Sequence, residues 1–323
     1  MARLALGVDL GGTNARAAVV DVSTGAIVSV RKELLLERGP EAVVRVVAGL
    51  ARGAAADAGV APASLGTAGV GVAGQCLGLT GIVVNAPQLG WRNVAFGGML
   101  AGALSQPVRV TNDLSAAAAG EHAFGAAKGV SDALVVFVGS GVGAGLVLGG
   151  RLYEGAYGVA GELGHVKVRP PRAEQKERRC GCGEWGCLEA YAGGVNVAAR
   201  VREDVNAGLA ERVKAIAGAD ANVSAATVEA AYAEGDLYAR ELWGELGALL
   251  GRAIANVTTL LNPARVVLGG GVLAGCANLS RIVRAQVMDK TARAARAGVE
   301  VVPAELGDDA GLVGAATLTA PRT

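Results

Sequence analysis

Charge imbalance is almost absent from this sequence: 30 basic residues face 29 acidic ones, for a formal net charge of +1. No global field is offered to nucleic acid or to an anionic membrane, and neither is expected as a partner. Cysteine is scarce, five residues in 323, odd in number and unevenly placed, which argues against a secreted disulfide framework. No signal peptide is evident, because the apolar run in "MARLALGVDLGG" stops at Asp9, and a cytoplasmic location is expected. A long uninterrupted apolar helix is missing too. Residues 58–91 and 133–150 carry no charge, but the second stretch has glycines at 139, 141, 143 and 145. Each would cost about 1 kcal/mol in a helix relative to alanine. The first stretch is broken by Pro62 and Pro87. Both read as buried strands joined by glycine turns, so no membrane span is expected.

Glycine is abundant, 50 residues, and it sits in short clusters flanked by Val, Leu and Ile, as special turns do. Hydrophobic residues at 52% and charged residues at 18% describe a folded chain, long enough for roughly two domains of about 150 residues. The start reads strand, turn, strand: "LALGVDL", "GGTN", "ARAAVVDV". Residues 41–59 have helical periodicity ended by Gly59. "PVRVTNDL" is a short strand running into the alanine-rich helix "SAAAAGEHAFGAA". Then "ALVVFVG", "SGVGAG" and "LVLGGRLYEG" repeat the opening pattern, a weak internal repeat with a boundary near residues 114–132. Residues 170–179 form a charged loop. Residues 236–261 are one long amphipathic helix stopped by Asn262–Pro263, "ARVVLGGGV" is a glycine-capped strand, "GVEVVPAEL" an edge strand and residues 310–318 a closing helix. The mixture is α/β with at least two sheets.

Three glycine turns each follow a buried strand: Gly11–Gly12 with Thr13 and Asn14; Gly139, Ser140, Gly141 and Gly143; and Gly269, Gly270 and Gly271. One such turn is an ordinary tight hairpin. Three in one chain point to a nucleotide, since glycine lets backbone N–H groups converge on a phosphate. None is a P-loop. Gly269 to Ala274 fits the dinucleotide pattern G-x-G-x-x-A, with Asp289 at 20 residues beyond Gly269. The stretch around Asp289 reads as helix, though, where the ribose-binding acid should end a strand, and this disfavours a nicotinamide enzyme. Asp9 ends the first strand beside the first turn. It suits either a phosphate-bound Mg²⁺ or stabilisation of the turn itself. Asn112 and Asp113 end another strand, where they suit either a hydroxylated ligand with Asp113 as general base or a helix cap.

Cys180, Cys182 and Cys187 are spaced C-x-C-x4-C. With His165, one of only two histidines, they make a Cys3His zinc set. The alternative is three reduced thiols in a turn. A disulfide across one intervening residue would be strained. His122 reads as a plain helix residue, and Cys76 and Cys276 as core or turn residues.

Together "GVDLGGTNARAAVVD", "GVAG", "NAPQLGW", "TNDLSAAAAGE", "GSGVGAGLVLGGRLYEG", "AGELGH", "CGCGEWGCLE" and "NPARVVLGGGV" resemble, in order, the ROK family of sugar kinases, repressors and related proteins. "NAPQLGW" is most similar to its glucokinases. The resemblance implies an actin-like (hexokinase-like, ribonuclease H-like) ATPase fold of two α/β domains with a cleft between them. The small domain is expected at 1–118, with a C-terminal helix at about 310–323 packing back on it, and the large one at 119–309. It also implies ATP-dependent phosphorylation of a hexose at the 6-hydroxyl, with Mg²⁺ and a structural Zn²⁺, in a dimer or tetramer serving carbohydrate metabolism such as glycolysis. By position Asp113 is the base. Gly74 (through its backbone), Asn112, Glu162, His165 and Glu189 are sugar ligands, and His165 uses one ring nitrogen for zinc and presents the other to the sugar. Gln88 stands where the family's glucokinases commonly carry Asn, which leaves N-acetylglucosamine or N-acetylmannosamine as rival substrates. A non-catalytic sugar sensor is the rival of another class. A DNA-binding repressor is not expected, because the first glycine hairpin begins almost at the N-terminus.

Overall fold

Two hairpins with glycine turns open the two main sheets of the computed structural model, which describes residues 3–78, 80–170 and 176–318. The first sheet has the order Ala26–Leu34, Asn14–Asp21, Leu4–Leu10, Ala68–Val72, Val108–Asn112. Its hairpin strands are antiparallel, and its last two strands run parallel to Leu4–Leu10. The register places Leu10 beside Val72 and Val72 beside Asn112. Three parallel strands therefore end level with one another, and Gly11, Ala73 and Asp113 leave the sheet along the same edge. Ligands of open α/β sheets bind outside that edge. The second five-stranded sheet has the order Arg151–Tyr153, Val142–Leu148, Ala133–Val138, Arg265–Gly269, Glu300–Pro303. The uncharged stretch 133–150 is thus a strand pair, as expected. Among the described residues no helix is long and apolar enough to cross a membrane.

The chain divides into two units. One comprises Met1–Ala133, Gly145–Gly161 and Glu305–Thr323, the other Leu134–Ala144 and Glu162–Ala304. This division falls later than the expected boundary at 118. The helix Asp113–Phe124 packs on the closing helix Ala310–Thr317, and the strand residue Gly145 lies against Ala118 and Leu114. Both contacts hold the segments in the first unit.

In the first unit one sheet face buries Leu6, Val8, Leu10, Val70 and Val110 against Val43, Val47 and Leu50 of the helix Pro40–Asp57. Each such burial is worth roughly 1.5–3 kcal/mol. The other face holds Ala5, Ala18 and Val20 against Leu312, Val313 and Ala316. The closing helix comes so near that a Cβ on Gly314 would lie 1.7 Å from the Ala116 carbonyl oxygen. In the second unit the helix Leu237–Leu261 starts at Asp236, whose carboxylate accepts from the Ala239 N–H at 2.9 Å, and ends at Asn262 in the left-handed region. It packs on Ala277–Lys290.

Glu121 is fully buried, and no sequence pattern marks it. Its carboxylate accepts from the N–H groups of Ala126 (2.8 Å), Leu306 (2.8 Å) and Glu305 (3.1 Å). It thereby ties the end of the Asp113–Phe124 helix to the lead-in of the closing helix. Glu121→Ala would strand these donors, at about 3 kcal/mol or more of stability in urea unfolding. A loss within 0.5 kcal/mol, on the order of an ordinary surface change, would mean the carboxylate is not stabilising.

Candidate functional site

In the first unit the candidate residues gather where the three parallel strands end. Gly11 donates to the Asn14 carbonyl at 3.0 Å and closes the first glycine turn, and the Thr13 carbonyl accepts from Leu35 N–H at 2.8 Å. The Gln88 side chain lies on this turn: a Cβ on Gly12 would stand 2.4 Å from Gln88 Cβ. Asp9 pairs across the hairpin with Arg16. Arg16 reaches the Asp308 carbonyl at 2.7 Å and the Asp309 carboxylate. Burial raises the pKa of Asp9 above its ordinary value and nearby Asp308 adds to the rise, while Arg16 and Lys32 oppose it.

That direction has a consequence for stability. An acid whose folded pKa lies above its unfolded value stabilises fully below the unfolded value, and the contribution is lost as pH rises through the folded pKa. Ionised Asp9 is thus a burden at neutral pH, which a bound cation would relieve. Asp9→Asn should raise Tm at pH 7 relative to the parent, with the gain shrinking towards pH 4 and a fall in Mg-nucleotide affinity. A lower Tm at pH 7 would mean that Asp9 stabilises the turn instead.

The structure shows the helix-cap reading of Asn112–Asp113. Asn112 caps the helix Asp113–Phe124: its Oδ1 accepts from Leu114 N–H (2.9 Å) and Ser115 N–H (3.2 Å). Its Nδ2 donates to the Gly74 carbonyl at 3.0 Å, which joins two of the candidate sugar ligands. Asp113 Oδ1 accepts from Leu114 N–H at 2.9 Å. Glu154, given no role by the sequence, stands behind them. It accepts from Arg109 at 2.7 Å and Thr111 Oγ1 at 3.1 Å, and so braces the strand that delivers Asp113.

In the second unit His165, Cys180, Cys182 and Cys187 come together, with one ligand atom from each all within 4.8 Å of one another. Cys182 Sγ and Cys187 Sγ are 3.8 Å apart, and Cys180 Sγ is 3.8 Å from His165 Nδ1. Two sulfurs each about 2.3 Å from one tetrahedral ion stand about 3.8 Å apart, whereas a disulfide brings them to about 2.05 Å. The donors therefore fit zinc, and all three thiols are free. The loop is shaped by bridges pairing Lys167 with Cys187 and Arg179 with Trp185. Burial pushes the Cys180 thiol up to about 12, with Cys182 and Glu189 as further causes. With Nδ1 turned to the cysteines, His165 Nε2 faces Glu162 at 3.4 Å. Glu189 follows Cys187 closely, and its Oε2 accepts from Val142 N–H at 2.9 Å, on the second glycine hairpin.

A cavity of about 470 Å³ is lined by Gly139, Ser140 and Gly271 from the glycine turns, joined by Gly194, Arg202, Ser224 and Cys276. Its size falls in the range of small-molecule sites. Gly141 and Gly270 sit in turns, Gly143 and Gly269 in strands, and none of these four lines it. Arg202, Ser224 and Cys276 carry no sequence signal for this role. Burial pushes the Cys276 thiol up to about 12, with Glu229 contributing. A larger cavity of about 750 Å³ holds none of the expected site residues. Its charged lining is largely paired internally, Arg178 with Glu203, Arg200 with Asp204, and Tyr238 donating to Asp204. Lys176 to Arg178 of the charged loop line it, while residues 171–175 lie outside the described residues.

The chain is 32% identical to the glucokinase of Streptomyces coelicolor over 320 residues, 98% of this chain and 97% of that protein. A crystal structure of a ROK family glucokinase from Streptomyces griseus in complex with glucose and AMPPNP aligns with a TM-score of 0.81 and 32% identity, covering 98% of this chain and 99% of that one. The ROK hexokinase from Thermus thermophilus aligns at 0.78 and 30% identity, covering 98% and 97%. The fold is accordingly the actin-like ATPase fold. With residues 5–322 matching the family as a whole, the chain belongs to the ROK family.

Proposed function

We propose that this protein is an ATP-dependent hexokinase that phosphorylates glucose at its 6-hydroxyl. The observation that carries the reading is the end-to-end likeness to a relative whose crystal structure holds glucose and AMPPNP. The residue chemistry supports it. Asp113 takes the proton of the attacking hydroxyl, held in place by its bond to Leu114 N–H. Asn112 and the Gly74 backbone orient the sugar, and Glu162, His165 Nε2 and Glu189 accept or donate to its other hydroxyls. The N–H groups of the glycine turns receive the phosphates, and the cavity beside Gly139 and Gly271 takes the nucleoside. Asp9 is the residue that would hold Mg²⁺, which would supply charge neutralisation for the phosphates. His165, Cys180, Cys182 and Cys187 would hold zinc, and with Nδ1 so engaged the ring of His165 would keep Nε2 directed at the substrate.

The test is ADP release from Mg-ATP across glucose, N-acetylglucosamine, N-acetylmannosamine, mannose and fructose, with a no-sugar control. Strong glucose dependence is expected. Preference for an N-acetylated sugar would keep the mechanism, overturn the substrate and direct attention to Gln88. No release with any sugar from folded, zinc-loaded protein would overturn the kinase.

A further inference from the structure

The segment that completes the metal-ligand cluster also wraps the second glycine turn. Glu189 opens the short helix Glu189–Ala192 two residues after Cys187. Its Oε2 accepts from Val142 N–H at 2.9 Å, while Oε1 stands 3.8 Å from Cys180 Sγ. Next in the chain, Gly194 N–H donates to the Gly139 carbonyl at 2.8 Å and Val195 N–H to that of Ser140 at 3.2 Å. The carboxylate occupies the space where residue 141 would carry a side chain: a Cβ on Gly141 would lie 2.3 Å from Oε2. One acid thus joins the cysteine cluster to the turn Gly139–Val142.

We propose that Glu189 is a positioning residue for this turn, in addition to any contact with the sugar. The inference rests on the ATP-and-hexose reading above. A turn with glycine at 139 and 141 has wide conformational freedom, and a phosphate that had to order it at each binding event would bind more weakly. The bond to Val142 orders the turn in advance. The bond needs an acceptor of the right reach; it does not need the negative charge, which by itself opposes an incoming phosphate.

Reach and charge are separable by substitution. Glu189→Asp keeps the charge and is one methylene too short for Val142 N–H. Glu189→Gln keeps the reach and an accepting oxygen and loses the charge. The measurement is calorimetric titration of the full-length protein with Mg-ADP in the absence of sugar, with zinc content and Tm recorded on each variant. Glu189→Asp should weaken Mg-ADP about tenfold, and Glu189→Gln should stay within about twofold of the parent. Glu189→Asp within about twofold, or the two variants weakened equally, would overturn the positioning role. Tighter binding by both would overturn it too, as an effect of charge alone. A parent protein that does not bind Mg-ADP would instead sink the nucleotide reading, an outcome distinct from the others.

Discussion

Asp113→Asn should lower kcat by about 10³-fold and leave the fold intact. The substitution is nearly isosteric. An Asn at this position still offers an oxygen to Leu114 N–H, and the cap that starts the helix belongs to Asn112, whose bonds to Leu114, Ser115 and the Gly74 carbonyl are untouched. In the base role proposed above, what would be lost is the ability to take a proton from the attacking hydroxyl, and an amide cannot replace it. The loss should therefore fall on kcat, with a small change in KM for glucose and a Tm close to that of the parent. The measurement is coupled ADP release on protein checked by thermal unfolding. Near-parental kcat would remove Asp113 from the base role. A collapse of Tm would mean the residue serves mainly the helix start.

Cys182→Ser is the second large effect. This cysteine is the exposed member of the cluster, so replacing it disturbs packing less than a change at the buried Cys180 or Cys187 would. A closed tetrahedral site needs four ligands. Zinc content should drop from about one per chain to well below that, and glucose affinity should fall about 10-fold or more with it. The link runs through His165. In the zinc-bound arrangement proposed above, losing the ion from Nδ1 would free the ring to turn, and Nε2 would no longer stay near Glu162. Cys276→Ser, at a thiol outside the cluster, serves as the control for zinc content alone, since Cys276 lines the cavity proposed for the nucleoside. Full zinc retention by Cys182→Ser would remove Cys182 from the ligand set. Zinc loss without weaker glucose binding would separate the cluster from the sugar.

Much of the fold is legible in sequence because its signals are local. The glycine-turned hairpins announce themselves by strand, turn and strand within a few residues, and both are present at Leu4–Asp21 and Ala133–Leu148. The cysteine spacing, with a lone nearby histidine, is sufficient to assemble the set that the fold brings together. The helix Pro40–Asp57 starts one residue before the expected position and ends before Gly59, which takes the left-handed conformation just beyond it. What escapes is long-range. Arg109 and Glu154 are 45 residues apart, and no periodicity connects them. The cavity of about 470 Å³ borrows Arg202, Ser224 and Cys276 from three separate segments of the second unit, and none is unusual where it stands. The packing partner of the alanine-rich helix Asp113–Phe124 is long-range too: it lies at Ala310–Thr317.

The closing helix carries an implication for biosynthesis. Arg16 in the first hairpin reaches Asp308, 292 positions further along the chain, and the sheet face formed by Ala5, Ala18 and Val20 is covered only when Leu312, Val313 and Ala316 arrive. On the ribosome the opening sheet is therefore made early and must wait, that face incompletely covered, until residues 310–317 have been translated. Such delayed closure over a large sequence separation slows folding and prolongs exposure of apolar surface. A nascent chain stalled before residue 310 would leave that face open to chaperones.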